Sequence, residues 1–154
     1  MPQSNITILA VLIGLIAFMA ILIILIDLFL RRRRERRINR MDELGGRDFE
    51  FFCADLLRGQ GFIDVEVTRG SGDFGVDILA EKDGVTYAVQ CKRYNAPVGV
   101  DAVLRTYGGQ AYYERMVGVV MTNQYFTSPA VEAAKKLRIL LWDRGYIDAM
   151  AEEL

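Results

Sequence analysis

Histidine is absent from this 154-residue chain. Histidine-based triads, His–Zn sites and imidazole general bases are therefore excluded, and any catalysis must use carboxylates, Lys, Tyr or Cys. Cysteine is nearly absent too. Cys53 and Cys91 are too few for a disulfide framework or, without histidine, for a four-ligand zinc site, and they suit a reducing compartment. Overall charge is balanced: 19 Lys+Arg against 20 Asp+Glu leave a formal net charge of −1. There is no internal repeat, and no low-complexity tract beyond one arginine run. What is present, 52% hydrophobic and 25% charged residues, excludes a disordered or collagen-like chain, at a length that suits one ordinary domain. A mean hydropathy of +0.17 is high for a purely soluble protein, so apolar residues must be concentrated somewhere.

They are concentrated near the N-terminus. Ile6 to Ile26 carry no charge and are interrupted only by Thr7 and Gly14. At ~1.5 Å per residue this run matches the ~30 Å hydrocarbon layer of a bilayer. The expectation is a short non-cytoplasmic segment, 1–5, then a transmembrane helix over 6–30. A buried core helix rarely stays apolar on every side for so long, and a secretory signal would place basic charge before a shorter apolar run. Asp27, at the end of the span, reaches head groups or the arginines that follow and needs no functional role. Arg31 to Arg40 hold seven arginines and one glutamate, a net of +6. Such charge stays on the cytoplasmic side, which implies a single-pass protein of the cell inner (cytoplasmic) membrane with its remaining 114 residues in the cytoplasm. The same arginines attract anionic lipid, and tethering DNA ranks well below that role.

Residues 31–44 read as a basic juxtamembrane linker and 45–154 as the folded domain. From residue 41 onward, 12 Lys+Arg face 18 Asp+Glu, a net of −6. A bulk basic surface is therefore missing. Nucleic acid would have to be held by local basic loops, a metal ion, the arginine collar or confinement at the membrane.

Phe49, Phe52, Cys53, Leu56 and Leu57 recur at helical spacing, ended by Gly59 and Gly61. Ile63, Val65 and Val67 alternate with polar residues as in a strand with one wet face. A Gly/Asp-rich loop from Gly70 to Gly75 follows. Strands are expected over Val76–Glu81 and Val85–Tyr94, joined through Asp83-Gly84 as a hairpin. A helix over Val100–Glu114, a buried strand over Met116–Thr122, a helix from about Ser128 with Pro129 in its first turn, a strand at Ile139–Trp142 and a terminal helix from Tyr146 complete the order. This order suggests an α/β fold with a mixed sheet sandwiched by helices.

A two-residue hairpin loop pairs Lys82 with Val85, and counting outward places Asp77 opposite Gln90. Lys92 shares that face, and Tyr94 continues it. On the other face Val76, Ile78 and Ala80 would meet Val89 and Cys91 in the core. Asp77 and the Gln90 side-chain oxygen suit a hard cation such as Mg²⁺, which takes one or two carboxylates plus substrate phosphate oxygens. Lys92 would orient an attacking water or help deprotonate it, and offset charge developing on phosphorus oxygens. Glu50, at the border of the first helix's apolar face, adds a second carboxylate. An ordinary polar strand face with a surface ion pair explains the same triplet about as well on spacing alone.

The ordered set Phe49-Glu50, Gly72-Asp73-Phe74-Gly75-Val76-Asp77 and Val89-Gln90-Cys91-Lys92-Arg93-Tyr94 resembles the Mrr-type catalytic domain of the restriction-endonuclease-like (PD-(D/E)xK) nucleases. Val119 to Asn123, Phe126-Thr127 with Ala130, and Leu140 to Asp143 continue the likeness, which spans about residues 45 to 148. The resemblance implies a restriction-endonuclease-like mixed β-sheet flanked by helices, and a DNA endonuclease directed at foreign or modified DNA. It implies Asp77 as metal-binding acid, Gln90 where many relatives carry Glu or Asp, Lys92 as catalytic lysine and Glu50 as the helix-borne acid. Mg²⁺ is the expected cofactor, with Mn²⁺ as a substitute, and the metal ligands are Asp77, Gln90 and Glu50. A neutral amide at 90 binds Mg²⁺ more weakly than a carboxylate. Asp73 ranks second because a loop aspartate beside glycines is more often a turn former. Gln110 and Tyr113 stay outside the catalytic set. Cys53 and Cys91 read as core. Expected partners are DNA, membrane lipid through the N-terminal helix and Arg31–Arg40, and a second copy in a homodimer. A catalytically silent DNA- or protein-binding module at the membrane is the alternative, and a lipid-surface adaptor driven by the collar is a third reading.

Overall fold

A computed structural model of the protein describes residues 2–69 and 74–153, and within the first helix the side chains of residues 12–30, 32 and 41. The chain divides into two compact units, Met1–Arg37 and Ile38–Leu154.

The first unit is helical throughout. Helix α1 runs Pro2–Met41, with no break at the arginine run. The stretch 31–41, expected as a linker, continues the helix because arginine is a good helix former and Asp27–Arg40 contains neither Gly nor Pro. Leu12–Leu30 form a 19-residue stretch of mean hydropathy 3.0, and every side chain in it is exposed. A stretch of this length that is apolar on all sides has the composition of a bilayer span.

The second unit is a three-layer sandwich. After Gly45 and Gly46 come α2 (Gly46–Gly59), β1 (Ile63–Val67), β2 (Ile78–Lys82), β3 (Val85–Lys92), α3 (Val100–Tyr112), β4 (Val117–Thr122), α4 (Ser128–Leu137), β5 (Leu140–Trp142) and α5 (Arg144–Glu152). The five strands lie in sequence order. β1, β2 and β3 are antiparallel, whereas β3, β4 and β5 are parallel, joined by the crossover helices α3 and α4. Helices α2 and α5 cover one face, where Phe49, Cys53, Leu57 and Ile147 bury against Ile78, Val89, Cys91 and Met121. Helices α3 and α4 cover the other, where Ala102, Val103, Ala130 and Ala134 bury against Val120. The 45–154 boundary is too short at its start: Met41 is completely buried in the first core, and the unit begins at Ile38.

The hairpin has the expected register, from Lys82↔Val85 to Ile78↔Val89. Asp83 and Gly84 have φ of 53° and 77°, the left-handed pair of a type I′ turn. In β1 the alternation fails at Ile63, which is exposed. The register slips between Ile63 and Glu66 beside Asp64 at φ 49°, a bulge that removes Ile63 from the inward row.

A second irregularity shapes the site. Beyond Ile78↔Val89 the ladder slips again: the Asp77 N–H donates to the Val89 carbonyl at 2.8 Å, one position off the hairpin register. A one-residue slip exchanges faces. Val76, expected beside Ile78 and Ala80, accordingly lies toward α3, where a Cβ on Gly109 would come within 2.5 Å of its Cγ2. The Phe74 carbonyl is as close, at 2.6 Å, so only glycine at 109 admits this segment against the helix.

Candidate active site

Four elements converge at the C-terminal end of β3. Gln90 and Lys92 stand two residues apart on that strand and point to the α3 side. Gln90 is almost wholly buried, and its Oε1 accepts from the Thr106 hydroxyl of α3 at 3.2 Å. Thr106 in turn donates to the carbonyl of Ala102 or to Gln90, so the helix holds the amide oxygen in place. Asp77, also buried, is aimed at the same strand end. Its Oδ2 accepts from the Cys91 N–H at 2.6 Å, a side-chain bond where the slipped register would otherwise leave that amide unpaired. The three side chains therefore gather at one strand end, but Asp77 reaches it through the bulge and a bond to the strand backbone rather than as a ladder partner of Gln90.

Glu50 approaches from α2. Its Oε2 is paired with Arg47 Nη1 at 2.6 Å, and the same guanidinium donates to the Thr68 carbonyl at 2.7 Å. Thr68 closes the circuit. Its N–H donates to the Asp77 carbonyl at 2.9 Å and its hydroxyl to the Val76 carbonyl at 2.8 Å. Arg47 and Thr68 thus link the helix-borne acid to the bulge that carries Asp77. Cys91 reports the crowding: burial pushes its thiol well above the ordinary value, the adjacent Cys53 thiol adds to this, and the charges of Asp77 and Glu50 push it further. It is a core thiol, not a nucleophile.

Lys92 opens onto a cavity of about 240 Å³ with Tyr94, Gly99, Asp101 and Arg105 on its walls. This hollow lies at the start of α3, where Gly99 precedes the helix without a side-chain cap. A larger cavity, about 710 Å³, lies at the opposite end of β3 beside Lys82, Val85 and Trp142, and includes none of the four candidate residues. Asp73, the second-rank acid, lies outside the described residues. Gln110 is occupied structurally: its amide donates to the carbonyls of Arg115 and Met116, closing the turn after α3.

Among the described residues no group of three or more Asp, Glu, Cys or His is placed to hold a metal. The donors present are all oxygen: two carboxylates, Asp77 and Glu50, and the Gln90 amide. Each sp² oxygen has two lone pairs, so the bonds from Thr106 and Cys91 do not exhaust Gln90 Oε1 or Asp77 Oδ2. Such a sparse oxygen set fits a hard cation that completes its shell with water and phosphate oxygens.

Sequence reasoning did not assign roles to Arg47, Thr68, Thr106, Asp42, Asn123 or Arg144. The signal for Asn123 was available in principle: an asparagine directly after a continuous apolar strand has an amide that must find partners if it is buried.

The catalytic-domain profile of the Mrr family, described as a restriction endonuclease, matches residues 41–151. The chain belongs to this family. Its fold is that of restriction endonucleases. It is similar to the modification-dependent DNA restriction endonuclease AspBHI (TM-score 0.56, 20% identity, 76% of this chain and 34% of that one). MspJI restriction endonuclease, solved in complex with a 27-mer oligonucleotide, gives a TM-score of 0.51 at 19% identity over 79% of this chain and 30% of that one. The protein of unknown function AF1548 gives 0.56 at 24% identity over 66% and 60%. The chain therefore spans about a third of the two restriction enzymes and three fifths of AF1548. No curated protein matches it significantly. PD-(D/E)xK restriction endonuclease domains generally use divalent metals.

Proposed function

We propose that this protein is a membrane-anchored, Mg²⁺-dependent DNA endonuclease of the Mrr type, acting on foreign or modified DNA from the cytoplasmic face of the inner membrane. The observation that carries the reading is the gathering of Asp77, Gln90 and Lys92 at one end of β3, with Glu50 linked to the same end through Arg47 and Thr68. Asp77, Gln90 and Glu50 are the residues that would hold the cation, which when bound polarises the phosphodiester and lowers the pKa of a water. Lys92 Nζ orients the attacking water and offsets the negative charge that grows on the phosphate oxygens as the bond to the leaving oxygen breaks. Thr106 holds the Gln90 amide, and the Cys91 N–H holds the Asp77 carboxylate, so neither reorganises during the reaction.

The exposed apolar helix and the adjoining arginines support anchoring with the catalytic unit in the cytoplasm. Confinement at a surface offsets the unit's acidic charge by raising the local concentration of DNA brought to the membrane. Cutting both strands calls for two such sites, hence a homodimer. The test uses the full chain in detergent micelles with supercoiled plasmid. Mg²⁺ is expected to support nicking and linearisation, EDTA to abolish them, and Lys92→Ala to abolish them with Mg²⁺ present. Stable DNA binding with no cleavage under Mg²⁺ or Mn²⁺, on modified and unmodified DNA alike, would favour a silent binding module instead.

A further inference from the structure

Backbone pairing between β3 and β4 ends at Lys92↔Thr122. The strand that bears Lys92 would be expected to fray there, yet the next residues are held by side chains. The Thr122 hydroxyl donates to the Lys92 carbonyl at 2.7 Å. Asn123, completely buried, then acts as one more peptide of the ladder: its Oδ1 accepts from the Tyr94 N–H at 2.9 Å and its Nδ2 donates to the Tyr94 carbonyl at 3.0 Å. The second Nδ2 hydrogen goes to Asp42 Oδ1 at 2.8 Å. All three partners demand the same orientation of the amide. Asp42 is fixed in its turn by a two-pronged bond from Arg144, at 2.9 and 2.8 Å. Arg144 also donates to the Asn123 carbonyl at 3.0 Å, and Arg93 donates to the Asp42 carbonyl.

We propose that Asp42, Asn123 and Arg144 form a clasp that positions Lys92, and that the residue just after the N-terminal helix is thereby part of the active-site frame. The inference rests on the nuclease reading for what Lys92 does, but the clasp is a claim about the strand end itself. A lysine side chain has four rotatable bonds, so its ammonium is placed only as well as the backbone that carries it. Three bonds from Thr122 and Asn123 immobilise that backbone on its open side. The bonds of the three clasp residues run to one another and to the strand end at Tyr94, two residues beyond Lys92, so their effect is read at Lys92. The clasp also gives a reason for the family match and the compact unit to begin near residue 40 rather than at α2.

The test compares the full chain in micelles with Asn123→Ala, Asp42→Asn and Asp42→Glu. Two readouts are taken, plasmid cleavage kinetics and amide hydrogen exchange at Tyr94. Asn123→Ala is expected to lower kcat by about tenfold or more, leave KM for DNA within about twofold, and speed Tyr94 exchange by about tenfold. Asp42→Asn, on a half-exposed side chain that tolerates replacement, should move both in the same direction by less, and Asp42→Glu should recover part of the loss. If Asn123→Ala does not fold, Asp42→Asn decides alone. Unchanged Tyr94 exchange in folded variants, or a loss of activity carried by KM, overturns the clasp. A wild-type chain that cleaves no DNA defeats the nuclease reading, while Tyr94 exchange still decides whether the clasp holds the strand.

Discussion

The two ends of β3 obey different rules. At the Val85 end the hairpin follows ideal geometry: a type I′ Asp-Gly turn, five ladder pairs in one register, and Lys82 capping the carbonyl of Gln60 over the Phe62 ring. At the Lys92 end nearly every rule is broken. The register slips at Asp77, a carboxylate takes the place of a backbone acceptor, an asparagine takes the place of a peptide, and four polar side chains, Asp77, Gln90, Thr122 and Asn123, are buried. Each departure is satisfied by a named partner, so the end is not defective but specified. Buried polar groups with complete networks stabilise a unique geometry at the expense of apolar packing, and that exchange makes sense where side chains must be held for chemistry. The larger cavity lies at the regular end and the smaller one at the irregular end, so volume alone does not point to the proposed site.

Several substitutions sharpen this contrast. The largest effect is expected from two lysines at opposite ends. Lys92→Ala should lower the initial rate of plasmid cleavage by about 10²-fold or more, whereas Lys82→Ala should leave it within about twofold, because Lys82 lies at the end of β3 away from the proposed site. Comparable losses for both would erase the distinction between the ends.

Next in size is a pair of glycines read by thermal unfolding. Gly109→Ala drives a Cβ into Val76 and the Phe74 carbonyl, which hold the bulge approach in place, and should destabilise by about 1–3 kcal/mol. Gly84→Ala meets open space and strains only its left-handed backbone, for about 1 kcal/mol. A Gly84 variant less stable than the Gly109 variant would contradict the packing described for Val76.

A smaller and more specific effect concerns Gln90. Gln90→Glu adds a charge to the oxygen donors and should lower the Mg²⁺ concentration for half-maximal cleavage by roughly tenfold, read by metal titration. An increase would place the ion elsewhere.

The smallest effect is a pH dependence at the clasp. The hydrogen bonds from Arg144 hold the Asp42 carboxyl below its ordinary value of 3.8, with the Asn123 amide and the nearby Arg93 charge acting the same way against burial. A carboxylate whose folded pKa is depressed contributes stability above its unfolded pKa and loses it as pH falls through the folded value. The Tm difference between wild type and Asp42→Asn should therefore be constant from neutral pH down to about pH 5 and shrink below 3.8. A gap that widens in acid would show that the carboxylate is not stabilised by its partners.

Legibility in the sequence follows the same division. The hairpin, its register and the element order were readable because Asp83-Gly84, period-two runs and Ser128-Pro129 act over a few residues and name their own partners. Thr127 rather than Ser128 caps α4, a one-residue difference. Counting outward from the turn placed Asp77 directly opposite Gln90, a pairing that the slipped register does not keep, although Asp77 still bonds the strand beside Gln90. It also misplaced Val76, because a bulge at Asp77 depends on Thr68 and on the close approach of Gly109, which lie 9 and 32 positions away. The clasp was invisible for the same reason: Asp42, Asn123 and Arg144 are separated by 81 and 21 positions, and nothing in their neighbours announces the meeting. The arginine run read as a linker because its charge suggested topology, while its helix propensity is what governs its backbone.

The central claim is that a phosphodiester is hydrolysed at the irregular end of β3, and single-turnover cleavage of duplex DNA by the full chain under saturating Mg²⁺ tests it most directly. Wild type is expected to cut and Asp77→Ala to fall to the uncatalysed background while still folded and still binding DNA. Undiminished cutting by Asp77→Ala would contradict the account.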